Sequence, residues 1–211
     1  MSKRFVLAIT GASGAIYASR LLAALLDSGN EIHLTISPSG VAVIKQELGI
    51  TVSLAKFDPK PFVEYQPPWS ERKYELADEA QSRIHYHHYQ DYMTPIASGS
   101  FLTHAMIVCP CSGSTVAGIA RAASSNLIQR AAEVHLKEHR KLILVPRETP
   151  LSVFALENMH RLATAGAIVL PAMPGWYHGV SSLDSLVDFI VARILDQCDV
   201  ENRLIQRWGE A

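Results

Sequence analysis

Cysteine is scarce in this chain: Cys109, Cys111 and Cys198 are the only three in 211 residues. An odd, sparse set supplies no disulfide framework, so a reducing compartment is expected, and with it a cytoplasmic location. A surplus of one charge is lacking too, because 19 Lys and Arg face 20 Asp and Glu for a formal net charge of −1. Sequence-blind binding to nucleic acid needs a basic surplus to neutralise phosphates, so no nucleic-acid partner is expected. Long apolar runs are missing as well. The run that opens at Phe5 breaks at Thr10-Gly11, too short for the apolar part of a signal peptide. No later stretch reaches the roughly 20 residues a bilayer requires, so no membrane partner is expected. Neither an internal repeat nor a low-complexity tract is visible.

What is there is an ordinary globular composition, 48% apolar and 18% charged, sufficient for one domain over residues 1–211 with a full-sized core. Phe5 to Ile9 is a continuous apolar run of strand length, as expected for a strand buried on both faces of a parallel sheet. Helix periodicity follows from Ala15 to Leu26 and stops at Gly29-Asn30. Glu31 to Ser37 predicts a second strand and Val41 to Leu48 a second helix, which gives a βαβ unit. Thr51 to about Asp91 is rich in Pro, Tyr, His and charge and weak in apolar period. It reads as loops and short helices, with Tyr65, Tyr74, Tyr86, Tyr89, Tyr92 and Trp69 serving packing or subunit contacts. The alternation then resumes, with strands at Ala105 to Val108, Leu142 to Val145 and Ala167 to Leu170. Helices are expected at Gly113 to Ala123, Leu127 to His139, Leu151 to Ala165 and Leu183 to Cys198. Five strands alternating with helices predict a three-layer α/β sandwich of the Rossmann or flavodoxin kind, with a mostly parallel sheet.

In such a sheet, ligands bind beyond the carboxyl ends of the strands. The first strand ends in Thr10-Gly11-Ala12-Ser13-Gly14, the second in Ser37-Pro38-Ser39 and the third in Cys109-Pro110-Cys111-Ser112-Gly113-Ser114-Thr115. The fourth ends in Pro146-Arg147-Glu148-Thr149-Pro150, and the fifth in the run from Pro171 to His178. The loops after strands one and three are small, hydroxyl-rich and lead into helices, so their backbone N–H groups and positive helix ends suit a phosphate. Tight Gly-Ser connections alone are the bland alternative. Two such loops, with Arg147 on a further strand end, favour an anionic ligand. A nicotinamide dinucleotide would want an acid at the end of strand two, where Ser37 stands. None of the seven tyrosines begins the Tyr-x-x-x-Lys spacing of short-chain dehydrogenases. A mononucleotide such as FMN fits better.

Arg147-Glu148 is bracketed by Pro146 and Pro150. An arginine there can pin a phosphate or a ring carbonyl, and the neighbouring carboxylate can move protons in a dry site. The alternative is an Arg–Glu pair capping the next helix. Arg193 borders the apolar stripe of the last helix while Asp184, Asp188 and Asp196 are expected to point elsewhere, so its partner is either a structural carboxylate or a ligand phosphate. Arg130 and Lys137 are seven residues apart and share a helix face. His85, His87 and His88 have no acidic or cysteine ligand at a usual spacing, and Cys109-Pro110-Cys111 is not a zinc spacing, so no metal site is expected.

Seven segments together resemble the UbiX-type flavin prenyltransferases. They are TGASGAIY (Thr10 to Tyr17), ASGS (Ala97 to Ser100), CPCSGST (Cys109 to Thr115), RAAEVHLKEHRKLILVPRETP (Arg130 to Pro150), LENM (Leu156 to Met159), PGWYH (Pro174 to His178) and RWGE (Arg207 to Glu210). The resemblance spans nearly the whole chain and is weakest from Thr51 to Asp91. It implies transfer of a dimethylallyl group from dimethylallyl monophosphate to reduced FMN, at N5 and then C6, without a metal. The prenylated FMN would serve partner UbiD-type decarboxylases, and the enzyme would form a dodecamer with sites at subunit contacts. Carried over residue by residue, the resemblance implies that Gly11, Ala12 and Ser13 line the flavin, with the Ser13 hydroxyl near N5. Ser37, the loop of Ser112, Gly113, Ser114 and Thr115, and Arg147 would hold the remaining flavin and its phosphate. Tyr177 and Arg193 would hold the prenyl phosphate, with Arg130, Lys137 and Glu148 near it, and Glu47 and Trp208 would complete the active site. Catalytic roles then fall to Ser13, Glu47 and Glu148, with Glu148 the candidate for proton delivery to the departing phosphate and Trp208 part of an aromatic, water-poor pocket. Trp176 stands where relatives often carry Phe, a conservative departure.

Two other functions remain as alternatives. A flavin-dependent decarboxylase of peptidyl-cysteine needs a catalytic histidine early in the chain, and the one before the irregular segment, His33, is mid-strand. A non-catalytic FMN carrier would not need Tyr177, Arg193 and Lys137 together.

Overall fold

The computed structural model describes residues 2–209; Glu210 of the RWGE segment lies outside them. In chain order the first elements are β1 (Arg4–Ile9), α1 (Ala15–Asp27), β2 (Glu31–Ile36), α2 (Pro38–Leu48), α3 (Lys60–Val63), α4 (Asp78–Gln81) and β3 (Ile84–Tyr86). After a 3-10 turn at Pro95–Ala97 come β4 (Ala105–Cys111), α5 (Gly113–Ala120), α6 (Leu127–Lys137), β5 (Lys141–Pro146), α7 (Val153–Thr164), β6 (Ile168–Val169) and α8 (Leu183–Gln197). The strands form one six-stranded sheet, ordered β3-β2-β1-β4-β5-β6, with every neighbouring pair parallel. That is the doubly wound Rossmann order, in which the chain reverses direction across the sheet between β1 and β4.

Alternation along the central strands divides two cores. Phe5, Leu7 and Ile9 of β1 pack with α1 and α8, while Val6 and Ala8 pack with α5 and α6 on the other face. β4 behaves likewise until its pairing with β5 slips between Val108 and Cys111. The slip turns Cys111 into the second core although Cys109 belongs to the first. The helices begin where the sequence places small polar residues. Ser37, Ser112, Asn126, Ser152 and Ser182 each accept a hydrogen bond from the backbone N–H three residues on, an interaction worth about 1 kcal/mol per helix.

Three expectations need correction. The sheet has six strands rather than five, because Ile84–Tyr86 pairs with Ile32, His33 and Leu34 inside the segment read as loops and short helices. With only three residues and a polar outer face, β3 carries no apolar period to see. The third expected strand runs on through Cys109, Pro110 and Cys111, which are β4 residues rather than loop. All three cysteines are free and buried, and burial pushes their thiols well above the usual range. The last strand shortens to Ile168–Val169.

The 51–91 segment is held by charge as well as by packing. Asp188 on α8, 5% exposed, accepts from Arg20 Nε at 2.8 Å and from Arg72 Nη1 and Nη2 at 2.9 and 2.6 Å. Asp188 therefore points inward, against expectation, and ties this segment to α1 and α8. Tyr74 donates to Asp27 at 2.9 Å, and Tyr86 donates to the Leu54 carbonyl at 2.9 Å while stacking on Phe57, so these tyrosines serve packing as expected. Trp69 and Tyr92 remain exposed. Burial holds His33 on β2 below its ordinary range and pushes His87, just after β3, down to about 4. Among the described residues no helix is long and apolar enough to cross a membrane.

Candidate functional site

The reversal between β1 and β4 opens a crevice at the strand C-termini, and Thr10 closes its floor. Its buried hydroxyl donates to the Pro110 carbonyl at 2.8 Å and accepts from the Ser112 N–H at 2.8 Å. The loop after β1 is thereby fixed against the loop after β4. The loop after β2 is just as close. A Cβ on Gly11 would lie 2.5 Å from Ser39 Cβ, so only glycine permits this approach. Ala12 is buried, and Gly11 and Ser13 are half-buried on the crevice wall.

Glu47 closes off the first loop. Its carboxylate accepts from Gly14 N–H at 2.9 Å and Ala15 N–H at 2.8 Å. α1 has no side-chain cap of its own, since Gly14 sits at φ 117° in the left-handed region, so Glu47 from α2 supplies the negative charge its N-terminus favours. The expectation that α1 presents these amides to a phosphate is corrected: a carboxylate of the chain already occupies them. The second loop is different. Ser112 caps α5 through Thr115 N–H, and its hydroxyl lies 3.1 Å from Ser114 Oγ and 2.9 Å from Thr115 Oγ1. Gly113 and Ser114 are exposed at this helix start. Three clustered hydroxyls and the first amides of α5 fit a phosphate or a polar ring edge. Ser37 is committed to capping α2 through Gly40 N–H at 3.0 Å, and its hydroxyl lies 3.3 Å from that of Ser39.

β5 delivers Arg147 and Glu148 to the same crevice. A Cβ on Gly113 would lie 3.7 Å from Glu148 Oε2, so the carboxylate stands beside the start of α5. Both residues are exposed. α7 is capped by Ser152, so the pair is not a helix cap. Arg147 and Glu47 also bear on Tyr17, whose hydroxyl is raised above its ordinary range chiefly by burial. Tyr17 and Thr10 were not among the expected site residues. Thr10 had a signal, a polar residue at the end of an apolar strand. Tyr17 had none, because its place beside Glu47 is tertiary.

The third group lies along α8 and the loop after β6. Tyr177 packs edge-on against Phe189 and Trp208, with ring centroids 5.7 and 5.6 Å apart. Trp208 is 82% exposed, so in one chain this aromatic cluster is open to water rather than water-poor. Arg193 follows Phe189 by one helical turn, and both line a groove with Met173 and Pro171. Its guanidinium is exposed and bonds Asp196 at 3.0 Å, so the expectation that Asp196 points away is corrected: the structural carboxylate exists. Burial pushes Asp196 up, but bonds from Arg207 and Asn202 with the Arg193 charge outweigh it and hold its carboxyl below the usual range.

Arg130 and Lys137 do not join these groups within one chain. α6 runs back toward the strand N-termini, where Arg130 bonds the Ala97 carbonyl at 3.1 Å and Lys137 pairs with Glu138 beside Gly99. They form a separate patch with the 97–100 turn.

The profile of the Flavoprotein family matches residues 1–195. The flavin prenyltransferase UbiX of Halalkalibacterium halodurans is 42% identical over 206 residues, which cover 98% of this chain and 93% of that protein. The crystal structure of AnUbiX in complex with FMN and dimethylallyl pyrophosphate is similar at a TM-score of 0.81 and 36% identity, covering 99% of this chain and 98% of that one. A dodecameric FMN-dependent UbiX-like decarboxylase from Escherichia coli O157:H7 gives a TM-score of 0.78 at 37% identity, covering 98% of both chains.

Proposed function

The chain belongs to the UbiX flavin prenyltransferases of the Flavoprotein family, and from that premise we propose how its own residues carry out prenyl transfer. The protein is a transferase that moves a dimethylallyl group from a dimethylallyl phosphate to reduced FMN. The single observation that carries the residue assignment is the joining of four strand-end loops in one crevice, through Thr10, Gly11 and the Gly113–Glu148 approach.

Reduced FMN supplies the nucleophilic ring, at N5 and then at C6. Gly11, Ala12 and Ser13 form its wall, and Ser112, Gly113, Ser114 and Thr115 with Arg147 take its polar groups and phosphate. Glu47 acts first on the protein: by neutralising the α1 N-terminus it holds the Ser13 loop in place. Tyr177, Arg193 and Trp208 line the donor side. As the allylic C–O bond breaks, charge builds on the leaving phosphate, where a cation and a hydroxyl stabilise it without a metal. Arg193 reaches that position when its bond to Asp196 is exchanged for the phosphate. Glu148 delivers a proton to the departing phosphate.

The open aromatic cluster and the remote Arg130–Lys137 patch have one common explanation. In a dodecamer like that of the Escherichia coli relative, a neighbouring subunit brings Arg130 and Lys137 to the donor phosphate and covers Trp208. The donor is dimethylallyl monophosphate, the prenylated flavin passes to a UbiD-type decarboxylase, and the protein works in the cytoplasm. A carrier function would leave the Tyr177–Arg193 groove without use. A cysteine decarboxylase would need its histidine near the flavin, whereas His33 lies mid-strand on β2 and bonds Glu31 at that strand's N-terminal start.

The deciding experiment incubates pure protein anaerobically with reduced FMN and dimethylallyl monophosphate and weighs the released flavin. A gain of one C5 prenyl unit is expected. Unmodified FMN, with the pyrophosphate donor tried as well, would overturn the transferase assignment.

A further inference from the structure

The parallel pairing of β2 with β3 sets His85 directly beside His33, and Glu31 precedes His33 by two residues on the same face of β2. The acid that the His85–His88 run lacks in sequence is supplied from 54 residues away. Glu31 Oε1 lies 2.9 Å from His33 Nε2 and 3.5 Å from His85 Nε2, and the three ligand atoms fall within 4.8 Å of one another. We propose that Glu31, His33 and His85 form a binding site for a divalent transition-metal ion of the zinc class, on the β2–β3 edge and separate from the flavin crevice.

A tetrahedral zinc ion holds nitrogen and oxygen ligands at about 2.0–2.1 Å, which places the ligand atoms roughly 3.3 Å apart. The separations to Glu31 bracket that value. His85, with a side chain 45% exposed and its ring stacked on His33 at 4.9 Å between centroids, closes the remaining distance by a change of rotamer and leaves a fourth position for water. Two imidazoles and a carboxylate form a borderline donor set that suits zinc better than calcium or magnesium. His33 also has the outer partner such ligands require, since its Nδ1 lies 2.8 Å from His87 Nε2. When His33 Nδ1–H donates to His87, the His33 Nε2 lone pair faces the Glu31 carboxylate, and a cation between them resolves that opposition. In the other tautomer Nε2–H donates to Glu31 and no cation is needed. Arg4, whose Nε donates to Glu31 Oε1 at 3.0 Å while its guanidinium lies over Phe101, sets the carboxylate orientation and competes with the ion. The site is about 17 Å along β2 from the crevice, counting five residues from Glu31 to Ile36, so it clasps the edge strand and takes no part in prenyl transfer. The buried thiols of Cys109, Cys111 and Cys198 offer the ion no alternative seat.

The test uses the untagged full chain, stripped with chelator and titrated with zinc against a chromophoric competitor. One zinc per chain is expected, with affinity falling roughly tenfold or more in Glu31→Gln and His85→Gln and unchanged in His88→Gln. Cobalt in place of zinc is expected to show tetrahedral d–d absorption without thiolate charge transfer. Prenyl transfer by His85→Gln matches the unaltered protein, and its melting temperature without zinc shows that it folds. Substoichiometric zinc, or wild-type zinc affinity in His85→Gln, would overturn the proposal and leave Glu31, His33 and His87 as a metal-free hydrogen-bond chain.

Discussion

Asp188 and Glu148 are both carboxylates close to arginine in sequence or space, and the molecule treats them oppositely. Asp188 is buried under α1 and the 51–91 segment with Arg20 and Arg72 bonded to its two oxygens. Glu148 stands exposed at the mouth of the crevice beside Gly113. The difference is one of completeness. A charge withdrawn from water must be fully paired, which makes it structural. A charge left in the open beside helix amides and hydroxyls stays accessible to a ligand, which is the role proposed for Glu148. The arginine on the same helix as Asp188 belongs to the second kind, because Arg193 is itself exposed and holds a single bond to Asp196 that a phosphate can replace.

Asp188→Asn has the largest expected effect. Removing the charge leaves two guanidiniums facing a neutral group, and a loss of about 3 kcal/mol in unfolding free energy is expected, measured by urea denaturation. A loss under about 1 kcal/mol would mean that this clamp is as dispensable as a surface pair.

Burial alone, without an ion pair, is tested at His135. This residue is 1% exposed; its Nδ1–H donates to the Ala131 carbonyl at 2.7 Å and its Nε2 lies 2.8 Å from Thr103 Oγ1. Burial pushes it down to about 4, so the unfolded chain binds this proton first as pH falls. Stability from His135 is complete above about 6.5 and is lost as pH drops toward 4, by at most about 3 kcal/mol. His135→Gln is expected to flatten that part of the stability profile, and an unchanged slope would refute the assignment.

Glu148→Gln tests the open carboxylate. Unfolding free energy is expected to stay within about 0.5 kcal/mol of the parent, FMN to remain bound, and prenylation to slow by roughly tenfold or more. Near-parental turnover would remove Glu148 from the reaction.

Glu47→Gln lies between the two extremes, because Glu47 is exposed yet its oxygens are taken by α1 amides. Loss of the charge at the helix start is expected to cost about 1 kcal/mol and to weaken FMN binding through the Ser13 loop. Fluorescence titration of FMN against this variant reads the second effect.

Much of this was legible in the chain itself. Apolar runs such as Phe5–Ile9 and Leu142–Val145 need both faces buried, so they predict a parallel sheet wrapped by helices wherever they occur. The small polar residues after them, Ser37 and Ser112 above all, mark helix starts by chemistry that acts within three residues. The strand ends accordingly appeared as the site, and the seven family-like segments pointed to the reaction. Tertiary structure decided whatever depends on partners distant in sequence. β3 has too few residues to carry a period and exists because β2 offers it an edge. Glu47 became the cap of α1, Asp188 the clamp for Arg72, and Glu31 the neighbour of His85, each across more than thirty residues. Local sequence sets which side chains share a strand or a helix face, but whether a charge ends paired, buried or waiting at a crevice depends on what the fold brings opposite it.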